Sequence, residues 1–430
     1  MKIFINTFGS RGDVQPFIVL GKALKAKGHA VMICTSSRFE ADITKNGLEY
    51  GYVTNDALAL LDADKAIFED SLGIVGMAKI FFKLIKIAKP LNKKMVQNAW
   101  VAAKGFKPDL VIYHAKALGG VSIAEKFKVP AIMISLIPML APTAEFPLFA
   151  LPKLGLGGWY NRLTYKLIPL GYKSYLKDLN DVRVNEMGLE KLPKHTGITA
   201  MPDGSLVPNI HAISPSVLSK PKDWPSIHTM SGYLIEQQDE QWAASLALRA
   251  FLAGGEPPIY VGFGSMSGSN PERLTKMIVE ALAQANVRGI IATGWGGLEA
   301  LDLPENILTI DSAPHAWLFP QVAAVVHHGG AGTTAAGLQA GRPTIICPFF
   351  GDQPFWADQV VKLGVGIKVT SQKKLGAEEL AEAIRNVTTD IKIREAAAVL
   401  GKKIQSEDGV FNAINIIEEI MAKSKKVESE

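Results

Sequence analysis

Apolar residues along this chain come in short unbroken runs set between longer stretches of helical period. KIFINTF (2–8), HAVMICT (29–35), DLVIYH (109–114) and PAIMIS (130–135) are runs of the first kind. PFIVLGKALKAKG (16–28), 38–46 and 120–127 carry apolar residues three and four apart, and Gly28 closes the first of these helices. An apolar run with no polar alternation predicts a strand buried on both faces, as in a parallel sheet. Strands alternating with helices predict βαβ units. The pattern fails near 190–235, where KLPKHTG, MPDGS, SPS and SKPKDWPS are rich in proline, glycine and serine. It then restarts with PPIYVGFGS (257–265), RGIIATG (288–294), NILTID (306–311), VAAVVHH (322–328), PTIICPFF (343–350) and VGIKV (365–369), separated by helices near 271–285, from 333 and near 354–363. A helical stretch, 377–422, and a charged tail that should fray, KSKKVESE, end the chain.

The expected architecture is α/β, with two Rossmann-like doubly wound domains. The first spans 1–213, a linker 214–235, the second 236–405, and a carboxy-terminal helix and tail 406–430 pack back toward the first domain. Ligands of doubly wound sheets bind at the carboxyl ends of the strands, so two such units joined by a linker imply a cleft between them.

Composition narrows the function. Of 430 residues 48% are hydrophobic and 20% charged, which suits large cores rather than disorder. A net charge of +5 without an arginine-rich arm gives no basis for nucleic-acid binding. Two cysteines, Cys34 and Cys347, are too few for a disulfide framework or a cysteine zinc site. No apolar run reaches the roughly 20 residues of a spanning helix, and the amino terminus has no signal-peptide pattern. The expectation is a cytoplasmic protein, peripheral to a membrane at most. Lys79, Lys83, Lys86 and Lys93 recur near helical spacing within the apolar stretch 73–97, interrupted by Pro90. That stripe reads as a solvated face over a pocket, with an interfacial helix as the alternative.

The segment from His327 to Gly341 carries the strongest chemical signal. A strand ends at His328, and Gly329, Gly330, Ala331 and Gly332 lead into Thr333, Thr334 and a helix. Small residues bring backbone close to a ligand, and a helix start offers unpaired N–H groups and a positive dipole end. Gly330, Gly332 and Ala335 also fit G-x-G-x-x-A with Asp352 about 20 residues on, a weak dinucleotide signature. Asp352 and Gln353, side by side, could accept from and donate to adjacent sugar hydroxyls; Asp352 could equally cap a helix. In the amino-terminal half, Asp13 follows the loop Gly9, Ser10, Arg11, Gly12 between the first strand and helix. It reads as a general base facing the cleft or as a helix cap. His114, at a strand tip, could line the same cleft.

HHGGAGTTAAGLQAGRPTIICPFFGDQPFWADQV (327–360), GSRGDVQP (9–16) and PTAEFP (142–147) together resemble family 1 UDP-glycosyltransferases, in the branch containing sterol glucosyltransferases. The resemblance implies the GT-B architecture and an inverting transfer of a hexose, glucose, from a UDP-sugar to a hydroxyl of a lipophilic acceptor such as a sterol. It places the diphosphate on His328, Gly330 and the Gly332–Thr334 backbone (Gly332, Thr333, Thr334), and the sugar on Asp352 and Gln353. Ser265 would add a phosphate contact, and 312–315, with Ala313 and His315, would read uracil. Asp13 would be the base, and His114 and Phe146 candidate acceptor-side residues. Ala336 and Ala331 depart from the glutamate and tryptophan of the plant small-molecule enzymes. No D-x-D pair follows a strand, so no metal and no cofactor are expected. Phenolic acceptors, a UDP-sugar epimerase, an NAD-dependent oxidoreductase and a non-catalytic UDP-sugar sensor are the alternatives.

Overall fold

The computed structural model describes residues 1–55, 91–149, 151–193, 197–235, 242–264, 271–293 and 303–429. Among these, two parallel sheets carry the alternation expected from the sequence. The first joins β1 (Lys2–Asn6), β2 (Ala30–Ser36), β3 (Glu49–Val53), β4 (Leu110–His114), β5 (Ala131–Ser135), β6 (Asn209–His211) and β7 (His228–Met230) in the order β3-β2-β1-β4-β5-β6-β7. The second joins β8 (Ile259–Gly262), β9 (Gly289–Ala292), β10 (Ile307–Ile310), β11 (Ala324–His327), β12 (Thr344–Ile346) and β13 (Gly366–Lys368) in the order β10-β9-β8-β11-β12-β13. The central strands are buried throughout: β4, β5 and β11 expose no residue. This is why their sequences run apolar without alternating.

Strand order reverses between β1 and β4 in the first sheet and between β8 and β11 in the second. Loops leaving the carboxyl ends of adjacent strands diverge at such points and open a crevice. The loops there are 7–10 after β1, 115–119 after β4 and 328–330 after β11. The chemistry singled out in the sequence therefore sits at the two switch points.

Several short elements lie where the sequence shows no period. β6 and β7 have three residues each and are set among prolines, too few for a pattern to register. β7 falls inside the stretch 214–235 that reads as a linker from its composition, and it completes the first sheet. The helical stretch 377–422 is three helices, Ala377–Thr389, Ile391–Gln405 and Gly409–Ser429. Asp390 makes the first break: it is extended, and its Oδ1 accepts from Lys392 N at 2.8 Å as the cap of the second helix. The last helix continues through the charged tail to Ser429.

Two apolar seams fix one lobe on the other. Phe146, Ile213, Val217, Leu218 and Trp224 form one buried cluster with Phe355, Trp356, Leu400 and Ile404 of the second lobe. The final helix crosses back, and its Ala413, Ile414, Ile417 and Met421 enter the core built on Ile3, Val14, Phe17 and Ile18. Glycines make that crossing tight, since a Cβ on Gly409 would lie 2.3 Å from Tyr233 O. Among the described residues no helix is long and apolar enough to cross a membrane.

Ile417 is 1% exposed, so the final helix is part of the first core. Ile417→Ala should lower stability by about 2–4 kcal/mol, read as a lower urea midpoint at unchanged slope. An unchanged midpoint would mean that the helix only rests on the surface.

Candidate functional site

The helix Arg11–Ala26 starts with a capping box. Ser10 is the N-cap, and Asp13 Oδ2 accepts from Ser10 N at 2.8 Å and from Ser10 Oγ at 3.0 Å. Gly9 makes room for this fold-back: its φ is +142°, and a Cβ there would lie 2.1 Å from Asp13 Oδ2. Pro16 has no N–H to give the Gly12 carbonyl one helical turn earlier. Gly12, Ser10 and Arg11 are exposed, whereas the Asp13 side chain is 16% exposed.

The cap uses one carboxylate oxygen. The other, Oδ1, accepts from Lys116 Nζ at 2.7 Å. Lys116, on the loop after β4, has no motif to mark it and went unnoticed in the sequence; its signal is only its place two residues beyond the strand tip His114. Burial pushes the Asp13 carboxyl up, but Lys116, His114 and the Ser10 hydrogen bond outweigh it and hold the group below the usual carboxylate range. His114 lies under the pair, 2% exposed, with its ring edge-on to Phe17 at 5.8 Å. Burial depresses its pKa to about 4 against the pull of Asp13, so the ring is neutral at pH 7, and its Nδ1 has no hydrogen-bond partner.

Across the cleft, β11 ends in two buried histidines. His327 turns inward, and its Nδ1 accepts from Gly329 N at 3.0 Å. Gly329 has φ +93°, and a Cβ there would meet Ile346 Cγ2 at 2.6 Å, so the reversal into the next helix requires glycine. Gly330 is the N-cap of the helix Ala331–Gln339, and a Cβ on it would strike His328 Nε2 at 2.6 Å. The His328 ring is held between backbone stretches free of side chains. Burial takes its pKa to about 4, and its Nδ1 is a buried polar atom without a partner.

The N–H groups of Ala331, Gly332 and Thr333 form the open first turn of that helix. Thr334, read with them from the sequence, does not join the set. Its N–H and its Oγ1 each donate to Gly330 O at 2.9 Å, and its side chain is fully buried. It is the fourth residue of the helix, the first whose N–H finds an intrahelical carbonyl.

Asp352 is the N-cap of the helix Gln353–Lys362, but its carboxylate does not cap; Oδ2 accepts from Trp356 Nε1 at 2.8 Å. Burial raises its pKa, opposed by the Trp356 hydrogen bond and Lys116 and assisted by Asp13. Asp352 and Asp13, from different lobes, thus influence one another's charge, and Lys116 acts on both. Gln353 is 4% exposed, and its Oε1 accepts from Phe349 N at 2.7 Å and Phe350 N at 3.1 Å. That oxygen holds the loop, which leaves the amide nitrogen as the group to meet a ligand. His315 stacks on Phe319 at 4.2 Å; burial, Arg11 and His328 together depress its pKa to about 4. Ala313 lies half-buried just ahead of it.

Phe146 is placed elsewhere. Its ring packs on Phe355 at 5.3 Å within the apolar seam between lobes, and Thr143 and Ala144 beside it are tied to Asp223. The Phe146 ring is thus committed to the seam between the lobes. Ser265, Lys79, Lys83 and Lys86 lie outside the described residues. Of the lysine stripe, Lys93 is paired with Asp181. A cavity beside Lys116 is lined by Phe8, Val53, Met95, Val96 and Leu118, with Asn6 and Asn92 as its polar members.

The chain is similar to known proteins along most of its length. Residues 3–144 match the family model described as glycosyltransferase family 28 N-terminal domain, and residues 278–420 that described as erythromycin biosynthesis protein CIII-like, C-terminal domain. A sterol 3-beta-glucosyltransferase of Arabidopsis thaliana is 35% identical over 420 residues, 96% of this chain and 64% of that protein. One from Cryptococcus neoformans var. neoformans serotype D is 34% identical over 449 residues, 97% of this chain and 27% of that protein. The chain therefore spans less than two thirds of the length of these relatives. Among solved structures, the glycotransferase of kitacinnamycin superposes with a TM-score of 0.72 at 19% identity, covering 97% of this chain and 98% of that one. The glycosyltransferase VinC in complex with dTDP gives 0.68 at 20% identity, covering 98% and 100%. At such identities the likeness is one of fold, the GT-B pairing of two facing Rossmann-like domains.

The Asp13–Lys116 pair predicts a signed shift. Lys116→Met removes a charge and a hydrogen bond that lower the Asp13 pKa and leaves burial opposed only by His114 and Ser10, so the carboxyl should titrate higher than in the wild type. Carboxyl ¹³C NMR across an acid titration reads this directly, and an unshifted Asp13 would show that Lys116 does not govern its charge.

Proposed function

Because this chain belongs to the sterol glucosyltransferase-like family of GT-B glycosyltransferases, we propose that it transfers a hexose, glucose, from a UDP-sugar to a hydroxyl of a sterol or similarly lipophilic acceptor. The observation that carries the reading is the pair of facing groups. Open helix-start amides at Ala331–Thr333 and the unpartnered His328 Nδ1 stand on one lobe, and the Asp13 carboxylate stands on the other. The first set suits a diphosphate and the second suits the proton of an attacking hydroxyl.

In this mechanism the acceptor oxygen attacks the anomeric carbon as the bond to the diphosphate breaks. The electron pair of that bond leaves with UDP, and the hydroxyl proton passes to Asp13 Oδ1. Asp13 Oδ2 stays on the Ser10 cap, so the carboxylate keeps its aim through the step. Its depressed pKa makes it a weak base, far too weak to form a free alkoxide. Proton transfer therefore accompanies C–O bond formation, worth about 10²–10⁴-fold for a positioned base. Lys116 must give up Oδ1 to the acceptor; from there its ammonium faces the site where charge moves. The charge growing on UDP is met by helix-start amides and His328 rather than by a metal. Neutral imidazole suits this role, because it donates one hydrogen bond without a proton loss that would fall within the working pH range.

A single displacement inverts the anomeric centre, so an α-linked donor gives a β-glycoside. Asp352 and the Gln353 amide nitrogen take the sugar hydroxyls, and the segment Ala313–His315 takes the base. VinC, which shares the fold, was solved with dTDP, which is in keeping with a pyrimidine nucleoside diphosphate in this site. Sterols lead the candidates because the relatives that match across 96–97% of this chain are named as sterol 3-beta-glucosyltransferases.

With UDP-glucose and a panel of sterols and phenols, mass spectrometry should show a hexose gain on a sterol. Asp13→Asn should cut turnover by about 10²–10⁴-fold at unchanged UDP-glucose affinity. Retained turnover would remove Asp13 from the base role. UDP-glucose binding with no acceptor glycosylated would identify a sensor instead.

A further inference from the structure

The surface between 154 and 173 has the wrong polarity for solvent. Leu154, Leu156, Trp159, Leu163, Leu167 and Leu170 are 51%, 49%, 65%, 46%, 41% and 59% exposed. Single exposed apolar residues need no explanation, but a contiguous set marks an interaction site.

Local structure gathers them. The helices Gly158–Thr164 and Leu167–Lys173 follow one another directly, and the joining residues Tyr165 and Lys166 keep helical dihedrals. Pro169 sits in the first turn of the second helix and cannot donate to the Tyr165 carbonyl, which explains the interruption. Through this nearly continuous helix, Thr164, Tyr165 and Tyr172 are buried and Ile168 packs on the core. Trp159, Leu163, Leu167 and Leu170 follow at steps of three and four and so share the opposite face. Arg162, Lys166 and Lys173 run along the edge of that face. Tyr160 OH to Pro152 O at 2.9 Å and Asn161 Nδ2 to Ala144 O at 2.7 Å tie the segment down, so the apolar face is presented by a fixed element.

Charge decides what covers it. Residues 151–177 contain five lysines and arginines and no acid. Lys153 and Arg162 are paired with Asp358 and Asp223. Lys166 and Lys173 are exposed and make no ion pair among the described residues. A second copy docking through a two-fold axis would set this basic face against itself. An anionic bilayer instead takes the leucines and tryptophan at its acyl boundary and the lysines at its headgroups.

We propose that Leu154–Lys173 is a membrane-surface docking element that seats the protein on anionic lipid. The inference stands on exposure and charge and does not depend on the transferase reading. It concerns a different segment from the lysine stripe at 73–97, most of which lies outside the described residues.

The test is co-sedimentation of the full chain with phosphatidylcholine vesicles carrying about one third phosphatidylserine, against phosphatidylcholine alone. Wild type should bind the anionic vesicles, and salt should release it. Trp159→Ser/Leu163→Ser/Leu170→Ser should weaken binding at least about tenfold. Lys166→Glu/Lys173→Glu should do so by about tenfold on anionic vesicles only. Both variants change exposed side chains, so their melting temperatures should match wild type; should the triple variant melt early, Trp159→Ser alone replaces it. No vesicle binding by wild type, unaltered binding by these variants, or a change in oligomeric mass in place of a change in vesicle binding would each overturn the proposal.

Discussion

Everything in this molecule is arranged around a helix start kept bare. Gly329 must be glycine for the turn, Gly330 must be glycine to clear the His328 ring, and Gly332 approaches Gly12 of the other lobe, with a Cβ at 332 lying 3.8 Å from Gly12 Cα. The bare backbone at Gly332 lets the two lobes approach this closely. Helix-start amides have strength as anion donors only where water is excluded, so the facing lobe is part of the electrostatics. The interlobe seams at Phe146–Phe355 and at the returning last helix hold that geometry.

The charged groups in the cleft are interdependent. Lys116 pairs with Asp13, and its charge, like that of Asp13, also reaches Asp352 of the other lobe. Asp13 is driven below its ordinary pKa and Asp352 above, from the same residue type in different surroundings. Four histidines near the cleft, His114, His315, His327 and His328, are all held neutral by burial. The site's charge at neutral pH thus comes from Asp13, Asp352, Arg11 and Lys116 and not from imidazolium.

The sequence revealed what is periodic or compositionally extreme. Parallel strands buried on both faces announce themselves as unbroken apolar runs, and the glycine turn after His328 announces itself by composition. It concealed what depends on three-dimensional return. Lys116 reaches Asp13 across 103 positions of chain, and no spacing rule links them. Thr334 looked like its neighbour Thr333, and only its place as fourth in the helix separates their roles. Phe146 sat in a motif suggestive of an acceptor loop, yet the partner that claims it, Phe355, lies in the other lobe. The strands β6 and β7 were too short to show a period. The outward-facing leucines of 154–170 carry no mark of their exposure, because apolar composition does not say which face is covered.

The most direct measurement is a diffraction structure of the protein with UDP. The account predicts the diphosphate within hydrogen-bond distance of the Ala331, Gly332 and Thr333 amides and of the His328 ring, with the Asp13 carboxylate facing it over the sugar position. A nucleotide bound away from that helix start, or a helix start closed over by its own chain, would contradict it.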